Sequence, residues 1–370
     1  MSQQTPAFGF LDLEGFMGQQ ATLIGEKRIT DAINKTVEEY NRQWNEVLRL
    51  QCEFTVDPQI RFDTVGGGEL QTATSGSLPL PTQTLGSQTL AWPIQAGHDS
   101  YGADHTISRM ATVADYNKYA LGIQAKDVNW MLRRFIQSVM YKTTYTFTDK
   151  LVGALSIKPL ANNDSDTYPT ISGDYTTANN YLGQNGALAD NLNMYSTIAT
   201  QLRGFLGNEG PIVACIPPVL ETTTRALATF VSRRDMNVEP GSASARLLTQ
   251  IERGFADEVI GYISGAEVWV AKWSRLSALF ASSLASTDAY IYAYCPEAPV
   301  KPVRIREYPF DNMKGLYTTT HNTEGGLKVN AYRHAGFGGY GRIHAVAAWI
   351  GNSTTYSNPS IYSSNVPLGI

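Results

Sequence analysis

The chain has 370 residues with 29 Lys and Arg against 33 Asp and Glu, a formal net charge of −4 at pH 7, so it lacks the basic footprint that grips phosphates. Nucleic acid is therefore not expected as a direct, specific partner. Hydrophobic residues make up 43% and charged residues 17%, a globular composition whose low-charge, Tyr-rich surface suits protein contact, and the length implies two or three lobes or a body with long extensions.

Cys52, Cys215 and Cys295 lie far apart, with no CxxC pair and no histidine at metal-ligand spacing, so they read as reduced, partly buried thiols. No metal or cofactor site is expected. The first ten residues lack a basic segment followed by an apolar one, and no apolar run is long enough to span a bilayer. Folding in a cytoplasm, without a membrane partner, is the expectation.

Residues 1–28 mix Gly, Gln and Phe without a period, as an extended arm would. From Thr30 to Leu50 a helix is predicted, because Ile33, Val37, Tyr40, Trp44, Val47 and Leu48 recur every three or four residues. Such a stripe fits a helix packed on its own body and equally one docked on a neighbouring subunit. Between Phe54 and Met110 the pattern turns to strands, and Gly66 to Pro93 is rich in Gly, Pro, Thr and Ser, which predicts a projecting loop or hairpin.

Val113 to Leu155 reads as one very long helix, with Asp127, Arg133, Arg134 and Lys142 on its wetter face. Within it Thr143 to Thr148 is β-branched and aromatic and alone would be a strand; the flanking period favours helix. A polar excursion at Asn162 to Asn185 leads into a helix at Asp190 to Leu206. Next come a buried strand at Pro211 to Ile216 and a helix at Glu221 to Phe230, an α/β lobe. Glu267 to Trp273 and Asp288 to Cys295 read as strands. The last third is β-rich: Val303 to Tyr308, Leu327 to Tyr332 and Arg342 to Ile350, with a turn at Gly336 to Gly339 and an uncharged tail after Gly351.

Gly336, Gly338 and Gly341 fit GxGxxG, but a strand follows where a dinucleotide fold needs a helix, and no Asp or Glu comes after Glu324 to take a ribose hydroxyl. A glycine-rich hairpin turn is the better reading. No GxxxxGK[ST], HExxH or GxSxG occurs, and His98, His105, His321, His334 and His344 are scattered. No catalytic residue is assigned.

The order of these segments resembles the major capsid proteins of tailed double-stranded-DNA phages, the Hong Kong 97 fold. The resemblance is carried by the block from Phe54 to Leu155 and by ISGAEVWVAKW, AYIYAYCPEAPVKPVRIREYPF and GLKVNAYRHAGFGGYGRIHAVAAW. It implies an α+β fold with an N-terminal arm and helix at 1–53 and an extended hairpin at 54–110. A peripheral domain with its spine helix takes 111–160 and 296–350, an axial α/β domain 161–295 and a tail 351–370. It implies a virion protein, assembled in the host cytoplasm, that builds hexamers and pentamers of an icosahedral or prolate head around DNA. A scaffolding protein, a portal and a decoration or cement protein would be its other partners.

Some members weld the shell through a lysine on the hairpin. Asp57 to Met110 contains no lysine, so a noncovalent shell is expected. Arg61, Trp92, Arg133, Arg134 and Trp44 are the candidate inter-subunit contacts, each arginine being equally readable as solvated. A tail or decoration component of a virion, or an α/β enzyme with its site in the lobe from Asp190 to Cys295, are the competing functions.

Overall fold

The computed structural model describes residues 8–65, 84–101, 110–161, 164–236, 238–239, 242–278, 288–323 and 326–359. The outer part of the expected hairpin (66–83), the first seven residues of the arm and the last eleven of the tail lie outside the described residues.

Helix α1 (Glu26–Arg49) buries Ile29, Ile33, Val37, Tyr40, Trp44 and Leu48, the predicted stripe, while Arg42 on its outer face pairs with Glu39 at 2.5 Å and Glu46 at 2.9 Å. The stripe belongs to the chain's own main core, so the packed reading of this helix holds. Helix α2 (Val113–Met140) starts with a capping box, in which Asp115 accepts from the Thr112 N–H at 3.0 Å. At 28 residues it spans about 42 Å.

The expected continuation to Leu155 is wrong. The chain leaves the helix at Met140 and forms a hairpin of β5 (Tyr145–Asp149) and β6 (Gly153–Ile157). Beyond Met140 burial alternates, with Tyr145 and Phe147 half-buried and Thr146 and Thr148 exposed, a period of two that only a strand satisfies. Gly153 at φ +85° makes the tight turn possible.

Ahead of α2 run β1 (Cys52–Thr55), β2 (Gln59–Val65), β3 (Thr84–Ala91) and β4 (Gln95–Tyr101). After β6 come β7 (Thr167–Pro169), β8 (Tyr175–Thr177), β9 (Tyr181–Asn185), helix α3 (Met194–Arg203), β10 (Ile212–Ile216), β11 (Phe230–Ser232), helix α4 (Ala243–Arg253), β12 (Glu258–Ile263) and β13 (Val268–Lys272). The chain closes through β14 (Ala289–Tyr294), β15 (Val303–Glu307), β16 (Leu316–Thr323), β17 (Gly326–Gly339) and β18 (Ala345–Gly351). The helix expected over Glu221 to Phe230 covers only Glu221–Arg225, and Phe230 opens β11.

A five-stranded sheet runs β1-β15-β17-β16, with β4 on the other side of β17. Helix α2 packs against β17 and α1 against β16. The hairpin expected over 54–110 is therefore shorter: β1 and β4 both belong to this sheet, and the free ribbon is β2 paired with β3. A seven-stranded sheet runs β11-β12-β13-β10-β14-β18-β9. In β10, Val213 and Cys215 face the main core with Phe135 of α2, whereas Ile212, Ala214 and Ile216 face a second core with Ile198 and Leu202 of α3. Cover on both faces explains the continuous apolar run. The last strand, β18, pairs with β14 and β9 in this sheet rather than with the peripheral strands it was expected to join.

Candidate assembly surfaces

The β2–β3 ribbon pairs from Gln59 with Ala91 to Val65 with Thr84, and it leaves the body through a buried clamp. Trp92, just past β3, is fully buried, and its N–H donates to the Pro58 carbonyl at 3.0 Å. One guanidinium nitrogen of Arg306 donates both to the Trp92 carbonyl at 3.0 Å and to Asp149 Oδ2 at 2.8 Å. Asp149 in turn accepts on Oδ1 from the N–H groups of Leu151 and Val152 at 2.8 and 3.2 Å, which fixes the β5–β6 turn. The Arg306 and Asp149 side chains are 3% and 1% exposed, so each charge depends on the other.

Beside this pair, Arg304 lies 5.0 Å from the Trp92 ring and 3.5 Å from that of Tyr340, and it bonds Glu53 at 2.9 Å. The Tyr340 ring also meets Phe62 on the ribbon at 5.9 Å. The GFGG segment is not the turn expected from sequence; Gly336 to Gly339 lie inside β17. A Cβ on Gly336 would stand 1.7 Å from the Pro93 carbonyl oxygen, and one on Gly338 2.8 Å from Trp92. Close approach of the clamp, not a phosphate or a turn, is what these glycines serve.

A second buried cluster ties both helices to the same sheet. Asp127 on α2 accepts from Tyr40 Oη at 2.5 Å and from Arg333 Nε and Nη2 at 3.0 and 2.6 Å. Asn41 of α1 caps both the N–H and the carbonyl of Leu316, at 2.8 and 2.7 Å, closing that end of β16. Asp127, expected on a wet helix face, is buried because Arg333 comes to meet it.

The five expected contact residues separate. Arg61 on β2 is exposed, with the Asp63 carboxylate 3.4 Å away, and Arg133 is exposed on α2. Trp44 is 2% exposed against Phe255, Trp92 is inside the clamp, and Arg134 is buried with its guanidinium 5.1 Å from the Trp130 ring. Those three side chains are buried within one copy of the chain, and of the five only Arg61 and Arg133 lie exposed on its surface. Sequence reading missed Arg306, Asp149, Arg304 and Glu53. Alternation in Val303-Arg304-Ile305-Arg306 signals a strand with one polar face, and nothing in that signal shows that the hairpin base covers it.

The remaining reactive side chains are quiet. Burial pushes the Cys215 and Cys295 thiols up to about 12 and raises Cys52, so thiolate is scarce at neutral pH. His344 is lowered to about 4 by burial, which the Glu209 charge only partly opposes; its Nδ1 meets Asn208 Oδ1 at 2.6 Å. The Asn208 Nδ2 is already donating to two carbonyls, so the imidazole is the donor in that bond. Among the described residues no three His, Cys, Asp or Glu side chains gather as a metal site, and no helix is long and apolar enough to cross a membrane.

No protein-family model and no curated protein matches the chain. Among solved structures, one described as Mycobacterium phage Patience aligns over 94% of this chain and 94% of its own at 14% identity, with a TM-score of 0.63. The bacteriophage PhiM1 mature capsid aligns over 83% of this chain and 87% of its own, at 12% identity and a TM-score of 0.47. The capsid of an empty GTA particle covers 82% and 90%, at 12% identity and 0.46. The first of these matches, over 94% of both chains, shows a shared fold. The chain therefore has the α+β capsid fold of tailed phages, the Hong Kong 97 type.

Proposed function

We propose that this chain is a major capsid protein, a structural subunit rather than an enzyme, which assembles with copies of itself into the hexamers and pentamers of a phage head around double-stranded DNA. The observation that carries this reading is the β2–β3 ribbon: its root is locked by buried charges and rings, yet among the described residues its strands Gln59–Val65 and Thr84–Ala91 pair only with each other. A two-stranded ribbon is marginal alone in water and gains stability by packing on something else. Repeated heterologous contacts of this kind close into a shell once rotation permits, and many weak contacts together make dissociation slow.

The shell is held without covalent links. No lysine lies on the hairpin from Asp57 to Met110, and all three thiols are buried. Formal charge of −4 suits a wall along which DNA slides without being gripped. Scaffolding, portal and decoration proteins belong to the same proposal. Sedimentation of a lysate expressing the chain, followed by negative-stain imaging of the fast fraction, tests it. Closed particles or hexagonal sheets, alone or with a co-expressed scaffold, are expected; a monodisperse monomer under every condition would overturn it.

A further inference from the structure

The outer face of the five-stranded sheet carries a row of half-buried rings. Tyr308, just after β15, meets the His334 ring at 5.4 Å; His334 meets Tyr317 at 5.8 Å; and Tyr317 stacks on Tyr332 at 5.5 Å. Tyr317 Oη and His334 Nδ1 are 3.1 Å apart. These residues face away from the core, since the alternate positions of β17, Val329, Ala331, Arg333 and Ala335, are buried beneath them. Burial and the nearby Lys150 ammonium both lower the His334 pKa, which favours its neutral ring.

The β5–β6 turn reaches this side of the sheet because Asp149 at its start is paired at 2.8 Å with Arg306, two residues before Tyr308 and on the same strand face. The turn's two apolar residues, Leu151 and Val152, are 59% and 49% exposed. They are presented rigidly: Asp149 holds both of their N–H groups, Gly153 closes the turn, and Arg306 locks Asp149 to the root of the ribbon. A buried ion pair is a costly way to hold an exposed turn, and the expense makes sense where the turn's position matters to something outside the chain.

We infer that Leu151 and Val152, with the row Tyr308–His334–Tyr317–Tyr332, form a contact for a second copy of this chain, separate from the ribbon. The inference rests on the assembly proposed above. A second copy is the occupant because this surface borders the root of the ribbon: when the ribbon engages a neighbour, that neighbour is brought against this face. Tyr-rich, low-charge patches around a central apolar anchor are the composition of interface hot spots.

Two measurements test it. In the first, Leu151 is replaced by the photo-crosslinking residue p-benzoylphenylalanine and assembled material is irradiated; a covalent dimer of the chain is expected. No dimer, or cross-linking to a different protein alone, overturns the inference. In the second, L151D/V152D is compared with the unaltered chain. The assembled fraction should fall at least about tenfold, the effect of losing one hot-spot contact. Thermal unfolding of the unassembled variant should be unchanged. Normal assembly of the folded variant also overturns it, whereas failure of the unaltered chain to assemble under any condition counts against the proposed function itself.

Discussion

The two sheets are stabilised in opposite ways. The seven-stranded sheet is sandwiched between apolar cores, and its central strand Ile212–Ile216 is buried at every position. The five-stranded sheet is also fully buried along Val303–Glu307, but there two arginines and a glutamate lie inside, neutralised by Asp149, Glu53 and Arg333. Apolar burial tolerates gradual change, because each lost methylene costs about 1 kcal/mol. Buried ion pairs do not, since removing one partner strands the other in a medium that solvates it poorly. The lobe held by apolar packing is thus a robust body, while the sheet that roots the ribbon depends on a few charges being matched.

The largest expected effect follows from that contrast. Arg306→Ala should destabilise the unassembled subunit by about 3–5 kcal/mol, the usual cost of leaving a buried carboxylate unpaired. Chemical denaturation of the subunit measures it. Arg306→Met combined with Asp149→Leu should recover most of the loss, because the uncompensated charge is gone. Equal destabilisation by the single and the double variant would show that packing and the hydrogen bonds to Trp92, Leu151 and Val152, not charge matching, hold the ribbon root, and the contrast between the sheets would fail.

A smaller effect lies at the junction of the two sheets, where His344 follows β17 and precedes β18. Its folded-state pKa is lowered to about 4, below the ordinary imidazole value of about 6.5. The folded state therefore favours the neutral ring. That stability is fully present above about pH 6.5 and is lost as pH falls toward 4, by at most about 3 kcal/mol. Between those values the unfolding free energy of the subunit should drop steeply, and His344→Gln should flatten the slope. A slope unchanged by the substitution would assign the acid sensitivity to carboxylates instead.

How far the sequence revealed this divides along the same line. Helix α1 and strand β10 were legible because their burial follows one rule, a stripe every three or four residues or an unbroken apolar run. The end of α2 was misread because Val139 and Met140 complete the helical stripe just before the threonine and tyrosine alternation begins. The clamp was invisible, since Arg306 and Asp149 are 157 positions apart and a charged residue on a strand ordinarily marks its wet face. The capsid resemblance came from the order of elements, which survives when individual side chains do not.

Arg61 gives the smallest expected effect on folding and the sharpest test of the ribbon. Its side chain is 70% exposed on β2, with the Asp63 carboxylate of its own strand 3.4 Å away. An exposed pair of this kind is worth little, so Arg61→Ala should leave subunit stability within about 0.5 kcal/mol of the unaltered chain by denaturant titration. As a proposed inter-subunit contact, however, its loss should slow assembly and reduce the salt sensitivity of the assembly rate, because rim charges act mainly on encounter. Light scattering at two ionic strengths separates the cases. If rate and salt response both match the unaltered chain, Arg61 is solvated in the particle as it is in the free subunit, and the ribbon engages its neighbour through backbone and apolar groups alone.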